Sequence, residues 1–67
     1  MYRLKELRKA NNLTQKELAK KLKCSQQVYS NYELGQRNIP VDILFELSDM
    51  FDVSIDYLLG KSDKNLR

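Results

Sequence analysis

The chain has 67 residues, of which 12 are Lys or Arg and nine are Asp or Glu. A domain of this length buries only about 60% of the surface of its unfolded chain, so it offers a binding surface more readily than a deep pocket. One cysteine and no histidine exclude an internal disulfide and a Cys/His zinc site within one chain. No apolar run approaches the roughly 20 residues that span a bilayer, and the opening stretch MYRLKELRK lacks the apolar segment of a secretory signal. We therefore expect a cytoplasmic protein without a metal or cofactor.

The charges are divided unevenly along the chain. Residues 1–37 hold nine basic and three acidic residues, whereas residues 38–67 hold three basic and six acidic residues. The first part therefore has a charge of +6 and the second a charge of −3. Such a layout favours the approach of a polyanion to one end of the molecule, although a lysine-rich helix is often only a solvated face.

A first helix is predicted over residues 2–11. Its inward side chains are expected to be Leu4 and Leu7, joined by Ala10. The side chains expected to face outward are the basic ones, Arg3, Lys5, Arg8 and Lys9. The Asn-Asn pair at positions 11 and 12 favours a turn, because asparagine tolerates left-handed backbone conformations and hydrogen-bonds its own backbone.

A second helix is predicted to begin at Gln15. Thr14 and Glu17 have the spacing of a capping box, and Leu13 is placed to pack on the helix as a hydrophobic staple. The residues expected on the buried stripe are Leu18, Ala19 and Leu22. Those left for solvent or phosphates are Lys16, Lys20, Lys21 and Lys23.

A third helix is predicted over Gln26–Leu34, with Ser25 as its N-cap and Gly35 as its left-handed C-terminal cap. The packing face is expected to hold Val28, Tyr29 and Tyr32, and the opposite face Gln26, Gln27, Ser30 and Asn31. Gln and Asn amides match the N6 and N7 edge of adenine in the major groove, so this face is suited to reading bases. An isolated Gln-Gln pair would more often be a solvated surface. Cys24, in the turn before this helix, is interpreted as a small apolar plug.

The third helix is followed by a polar connector whose residues Gln36, Arg37 and Asn38 either grip a DNA backbone or form an ordinary solvated loop. Pro40 suits the first turn of a fourth helix. Its buried face is expected to contain Leu44, Leu47, Ser48 and Phe51, and its outer face Asp42, Glu46, Asp49 and Asp52. Because this outer face is acidic, we expect it to lie away from DNA.

A last short helix, Ile55–Leu59, is predicted from the Ser54 cap and from Gly60 at its end. The apolar residues around it are Val53, Ile55, Leu58 and Leu59, and they are expected either to be buried or to form a dimer contact. The stretch KSDKNLR is then read as a frayed polar tail. The predicted organisation is thus one domain over residues 1–60 and a tail over residues 61–67.

With these elements in order, the chain resembles the helix-turn-helix family of phage lambda-type repressors and Cro, also called the xenobiotic-response-element family. The matching stretches are LTQKELAKKL, YELG, RNIP and VSIDYLLG, and the resemblance extends from Leu4 to Gly60. It implies an all-α, compact five-helix bundle with a lambda repressor-like fold. In that family the second and third helices form the helix-turn-helix, and the third lies in the major groove of DNA.

The resemblance also implies a set of DNA contacts. The implied base-reading residues are Gln26, Gln27 and Asn31, with Ser30 and Val28 beside them, Val28 against a thymine methyl group. The implied phosphate-binding residues are Gln15, Ser25, Gln36, Arg37 and Asn38, with Gln15 at the start of the second helix. Arg8 and Glu33 match positions that form a structural salt bridge in relatives.

Three departures from the family pattern affect the pose on DNA. Lys23 occupies a turn position where the family commonly has glycine, so the turn either accepts a strained lysine or takes a different shape. Tyr29 stands where a buried aliphatic residue is usual. Leu34 stands where a polar residue often contacts the DNA backbone, which removes one expected contact.

These features predict a sequence-specific DNA-binding transcriptional regulator, acting as a repressor and binding double-stranded DNA as a homodimer. Two alternatives are an antitoxin that also binds DNA and a protein-interaction module on the same fold. An enzyme is not expected. The sequence has no histidine and no phosphate-cradling glycine loop, and no pair of carboxylates stands in an apolar setting.

Overall fold

The computed structural model describes residues 2–65, and it contains five helices connected by short turns. They are α1 (Leu4–Ala10), α2 (Gln15–Lys21), α3 (Gln26–Leu34), α4 (Val41–Phe51) and α5 (Ile55–Leu58). No strand occurs within residues 2–65. The predicted all-α five-helix fold is therefore confirmed, and α2 packs on α3 as a helix-turn-helix requires.

Local capping defines the two central helices, as the sequence predicted. Thr14 Oγ1 accepts from the Glu17 amide at 3.0 Å, and the Glu17 carboxylate accepts from the Thr14 amide at 3.0 Å. At the start of α3, Ser25 Oγ accepts from the Val28 amide at 3.1 Å. Gly35 ends α3 with a φ of 72°, a left-handed conformation that glycine adopts at little steric cost. These side chains satisfy helix-end groups that would otherwise lack partners.

The first helix is shorter than predicted and ends before the Asn-Asn turn. Asn12 has a φ of 58°, as expected for an asparagine in a left-handed turn. Ala10, which was expected to face inward, is exposed. Arg8, which was expected to face outward, is buried, because a carboxylate from α3 and a backbone carbonyl pair with its guanidinium. The helical period alone therefore misplaced one charged residue and one small one.

The core is formed by apolar side chains from all five helices and from the turns between them. Its fully or nearly fully buried members are Leu4, Leu18, Ala19, Leu22, Tyr29, Tyr32, Ile39, Leu47, Val53 and Leu58. The one buried serine of α4, Ser48, donates its hydroxyl to the Val53 carbonyl, so its burial does not leave that hydroxyl unsatisfied. This core fixes the relative positions of α2 and α3.

The predicted burial pattern of α4 and α5 is largely confirmed. Pro40 immediately precedes α4 instead of lying within its first turn, and α5 ends one residue earlier than predicted. Val53 and Leu58 are buried, so they are not available as a surface contact. The exposed apolar side chains of this half lie on α4 instead, where Val41 is 65% and Phe45 is 57% exposed. Among residues 2–65, no helix is long and apolar enough to cross a bilayer.

The two ends of the described chain are held together. The Arg3 amide donates to the Leu58 carbonyl at 2.9 Å. The Arg3 guanidinium lies 4.5 Å from the centre of the Tyr57 ring and 2.7 Å from the Asp63 carboxylate. Asn65 Oδ1 accepts from the Ser54 amide at 3.1 Å. Within the predicted tail, Asp63 and Asn65 thus make contacts with the rest of the bundle, while Leu66 and Arg67 lie outside the described residues.

Candidate nucleic-acid interface

The turn between α2 and α3 keeps a tight shape in spite of its lysine. Lys23 has a φ of 59°, and the Cys24 amide donates to the Ala19 carbonyl at 3.0 Å. A left-handed lysine costs about 1–2 kcal/mol relative to a helical one, because its Cβ approaches the backbone. Of the two alternatives for this turn, the chain therefore adopts the strained lysine. Cys24 is a free, half-buried thiol that packs against the core, and burial raises its pKa.

The polar face of α3 lies at the surface. Gln26 and Gln27 are exposed, and Ser30 and Asn31 are half-buried. Gln27 Nε2 donates to Asn31 Oδ1 at 3.2 Å, so these two amides form a pair one helical turn apart. Along this face, a shallow open depression of about 400 Å³ is lined by Gln15, Gln26, Gln27 and Ser30. The fold therefore brings the first residue of α2 beside the polar face of α3.

Two other residues of the expected set have local roles in α3. Val28 is half-buried and packs against the core, so only part of its side chain is available to a ligand. The Ser25 hydroxyl oxygen caps the helix, which leaves its hydrogen free to donate.

Gln36, Arg37 and Asn38 are all exposed in the connector that follows α3. Leu34, at the end of the helix, is 65% exposed.

Exposed basic side chains come from α2, from the turn after it and from the connector after α3. The lysines of α2 and of the turn after it, Lys16, Lys20, Lys21 and Lys23, are all exposed, as predicted. Arg37 extends the positive charge to the far end of α3. The packed pair of α2 and α3 and its adjoining segments thus carry both exposed positive charge and amides that donate and accept hydrogen bonds, which is the combination that DNA recognition uses.

Behind the surface, a buried ion pair and a hydrogen bond to the same carboxylate connect three helices. Arg8 Nε of α1 donates to Glu33 Oε2 of α3 at 2.6 Å, which is the pair that the family resemblance implied. Gln15 Nε2 of α2 donates to the other carboxylate oxygen, Glu33 Oε1, at 3.0 Å. Arg8 Nη1 also donates to the Leu13 carbonyl at 2.8 Å. We call Arg8, Gln15 and Glu33 the interhelical cluster.

The interhelical cluster changes the acidity of its members. Burial alone would raise the pKa of Glu33, but hydrogen bonds from Arg8 and Gln15 and the charge of Arg8 outweigh it, so the pKa of Glu33 is lowered. The hydrogen bond to Glu33 raises the pKa of Arg8, against the effect of burial. Both groups are therefore held in their charged forms.

Tyr29 packs beside this cluster. The side chain is fully buried, and burial raises the pKa of its hydroxyl, with the nearby Glu33 carboxylate adding to the effect. Its hydroxyl oxygen has no hydrogen-bond partner of good geometry among residues 2–65. Sequence reasoning identified Tyr29 as a packing residue but had no signal for the position of the hydroxyl. The link between Gln15 and Glu33 was also missed, because it joins residues that are 18 positions apart.

Comparison with known proteins identifies the same architecture. Residues 4–58 match the family described as helix-turn-helix. The chain is 43% identical over 61 residues to YobD of Bacillus subtilis, an uncharacterised HTH-type transcriptional regulator, covering 91% of this chain and 54% of that protein. It is 48% identical over 61 residues to the HTH-type transcriptional regulator ImmR of Bacillus subtilis, covering 91% of this chain and 48% of that protein. This chain thus spans about half the length of these relatives.

Proposed function

Because this chain belongs to the helix-turn-helix family of DNA-binding transcriptional regulators, we propose that it is a repressor that occupies a near-palindromic operator. The observation that carries the proposal is the polar amide face of α3 at the surface, together with the exposed lysines of α2, the helix that packs on α3. In this pose α3 enters the major groove, and the bound protein blocks polymerase. Such a regulator works where the DNA is, which keeps the cytoplasm as our expectation for its location.

The base-reading residues in this proposal are those on the outer face of α3. They are Gln26, Gln27, Asn31, Ser30 and Val28, with Val28 limited to its uncovered methyl surface. Amides on Gln and Asn side chains hydrogen-bond base edges, and one good bidentate contact discriminates between bases by about 1–3 kcal/mol. These residues supply the selection of sequence.

The phosphate-binding residues flank the reading face on both sides. They are Gln15, Ser25, Gln36, Arg37 and Asn38. Gln15 has one amide hydrogen engaged by Glu33 and one left to donate to a phosphate. Contacts of this kind fix the register of the protein on DNA, and the charged ones make affinity fall with salt. Arg37 is the residue of this set that carries a formal charge.

A single domain of this size reads few bases, so we propose that two copies bind together. A two-fold dimer places its reading helices roughly 34–36 Å apart, which is one turn of DNA. This spacing requires a near-palindromic site with half-sites on one face of the duplex. Selection of binding sites from random duplex DNA, followed by footprinting, tests the proposal, because it reports both the target and the half-site spacing.

The base-reading assignment is tested with the variants Gln27→Ala and Asn31→Ala on selected and scrambled DNA. Each variant should lose affinity for the selected sequence and keep its affinity for the scrambled one. Arg37→Ala is the matched control, because loss of a phosphate contact should weaken both duplexes alike and reduce the salt dependence by about one phosphate. Equal losses on both duplexes for Gln27→Ala and Asn31→Ala would show that these residues do not read bases.

One observation favours a second candidate, an antitoxin or another protein-binding module. Val41 and Phe45 are exposed one turn apart on α4, next to the acidic side chains Asp42 and Asp49. Apolar side chains on an acidic face suit a protein better than DNA. Co-purification with the product of a neighbouring gene, lost in a Phe45→Ser variant that still binds DNA, would support this candidate.

A further inference from the structure

We propose that Gln27 and Asn31 act as one composite reader that recognises a single adenine, with Gln27 taking the N6 amino group and Asn31 taking N7. The inference rests on the proposed DNA-binding function and deepens it. It starts from the one hydrogen bond that joins two side chains of the polar face, Gln27 Nε2 to Asn31 Oδ1 at 3.2 Å.

The hydrogen bond determines which atoms of the pair remain available. Asn31 Oδ1 accepts from Gln27, so Asn31 keeps both hydrogens on its Nδ2 as donors. One Nε2 hydrogen of Gln27 is already donated to Asn31, and the Gln27 Oε1 remains available as an acceptor. Residues at positions i and i+4 lie one above the other on the same helix face. The pair therefore presents one acceptor and one donor on the same face of the helix.

Among the four bases, only adenine offers the complement within a single base edge in the major groove. Its N6 amino group donates and its N7 accepts. Guanine presents two acceptors there, cytosine presents a donor, and thymine presents an acceptor beside its methyl group. Gln27 Oε1 and Asn31 Nδ2 together thus match adenine in the way that one Gln or Asn amide does alone.

The contact within the pair also prepares it for binding. A free glutamine loses side-chain freedom when it is ordered on a base, and this loss reduces affinity. Gln27 is already held by Asn31 in the unbound protein, so part of that ordering precedes the encounter with DNA. Such Gln–Asn pairs at this spacing are stabilising on helix surfaces. Removal of either partner should therefore impair the other.

The test uses the duplex that the wild-type chain enriches from a pool of random DNA, and two analogues of its preferred adenine. Purine lacks the N6 amino group, and 7-deazaadenine lacks the N7 acceptor. We expect each analogue to weaken wild-type binding by about tenfold. Purine should have no further effect on Gln27→Ala, and 7-deazaadenine should have no further effect on Asn31→Ala. Circular dichroism of each variant serves to check that its helical content is unchanged.

Gln26→Ala is the matched control, because Gln26 is an exposed amide of the same face that takes no part in the hydrogen bond between Gln27 and Asn31. Both analogues should weaken Gln26→Ala as strongly as they weaken the wild type. The proposal of a composite reader is wrong if Gln27→Ala and Asn31→Ala each reduce the sequence preference at a different base pair. It is also wrong if purine weakens Gln27→Ala, and 7-deazaadenine weakens Asn31→Ala, as strongly as they weaken the wild type. A wild-type chain that enriches no sequence would instead refute the proposed function itself.

Discussion

Replacement of Glu33 by glutamine should destabilise the whole domain, although the change keeps the shape of the side chain. The Glu33 side chain is 4% exposed and that of Arg8 is 10% exposed, so their ion pair is shielded from water. Glu33→Gln removes the negative charge and leaves the buried Arg8 guanidinium without a counter-charge, with only the neutral Leu13 and glutamine carbonyls as acceptors. An unpaired buried charge is among the costliest defects in a protein interior.

The expected loss follows from this geometry. Breaking a buried ion pair by removing one partner costs about 3–5 kcal/mol, and the glutamine carbonyl retains one acceptor for either Arg8 or Gln15, so we expect about 3 kcal/mol. A chain of this length is stable by roughly 3–10 kcal/mol in total. The melting temperature should therefore fall by about 12–24 °C, and a large part of the variant could be unfolded at physiological temperature.

Urea denaturation followed by circular dichroism measures this loss, with Asp63→Asn as the matched control. Asp63 forms an ion pair with Arg3 at 2.7 Å, but its side chain is 99% exposed, so its removal should cost less than about 1 kcal/mol. The double variant Arg8→Met with Glu33→Leu should recover most of the stability, because it removes both charges. If Glu33→Gln costs no more than Asp63→Asn, the cluster is not an important source of stability and our reasoning about burial is wrong.

Three further predictions concern the pH dependence that Glu33 confers, the Thr14 cap of α2 and the left-handed turn at Lys23. The stability that Glu33 contributes should be fully present above its ordinary pKa of 4.5 and be lost as the pH falls through its lowered folded-state pKa. Urea denaturation at a series of acid pH values measures this loss of stability. The Glu33→Gln variant should not show this pH dependence. Thr14→Ala should cost about 1 kcal/mol in thermal unfolding because it removes the capping box, whereas Thr14→Ser should cost little. Lys23→Gly should stabilise the domain by roughly 0.5–1 kcal/mol in urea, since glycine relieves the left-handed strain, and a loss of stability would contradict the strained turn.

Much of the fold was predictable because its signals are local. The Thr14 capping box, the Ser25 cap and the Gly35 stop each act within a few residues, and all three define helix ends in the structure. The buried stripe of α2 follows from the helical period in the same way. Short-range hydrogen bonds and side-chain periodicity depend on little beyond the neighbouring sequence.

The errors concern residues whose environment is set by distant parts of the chain. Arg8 is buried because Glu33, 25 positions away, supplies its counter-charge. Asp63 and Asn65 of the predicted tail likewise contact Arg3 and Ser54, which lie far from them in the chain. Neither partner can be assigned from periodicity, since a solvated arginine and a buried, paired one have the same sequence pattern. The resemblance to a family supplied the Arg8–Glu33 pair where the pattern of the helix did not.

In the candidate site, too, the features that a helix alone determines were predicted, and the specific contacts were not. The polar face of α3 was predicted residue by residue, because a helix fixes which side chains share a face. The hydrogen bond between Gln27 and Asn31 was not predicted, although their spacing of four residues permits it. The exposure of Val41 and Phe45 was not predicted either, since apolar residues at the edge of a helical stripe are as compatible with burial as with solvent.

The ion pair between Arg3 and Asp63 brings together the first and last parts of the described chain. Arg3 and Asp63 are 60 positions apart in the chain, so a short peptide linker near these two residues would close the described domain at a small loop-closure cost. New termini opened in the exposed connector at residues 36–38 would interrupt the proposed phosphate contacts there, so such a permutant should fold but bind DNA more weakly. A reporter fused at such a break would lie beside the reading helix, whereas a reporter joined next to Arg3 or Asn65 would lie beside α5.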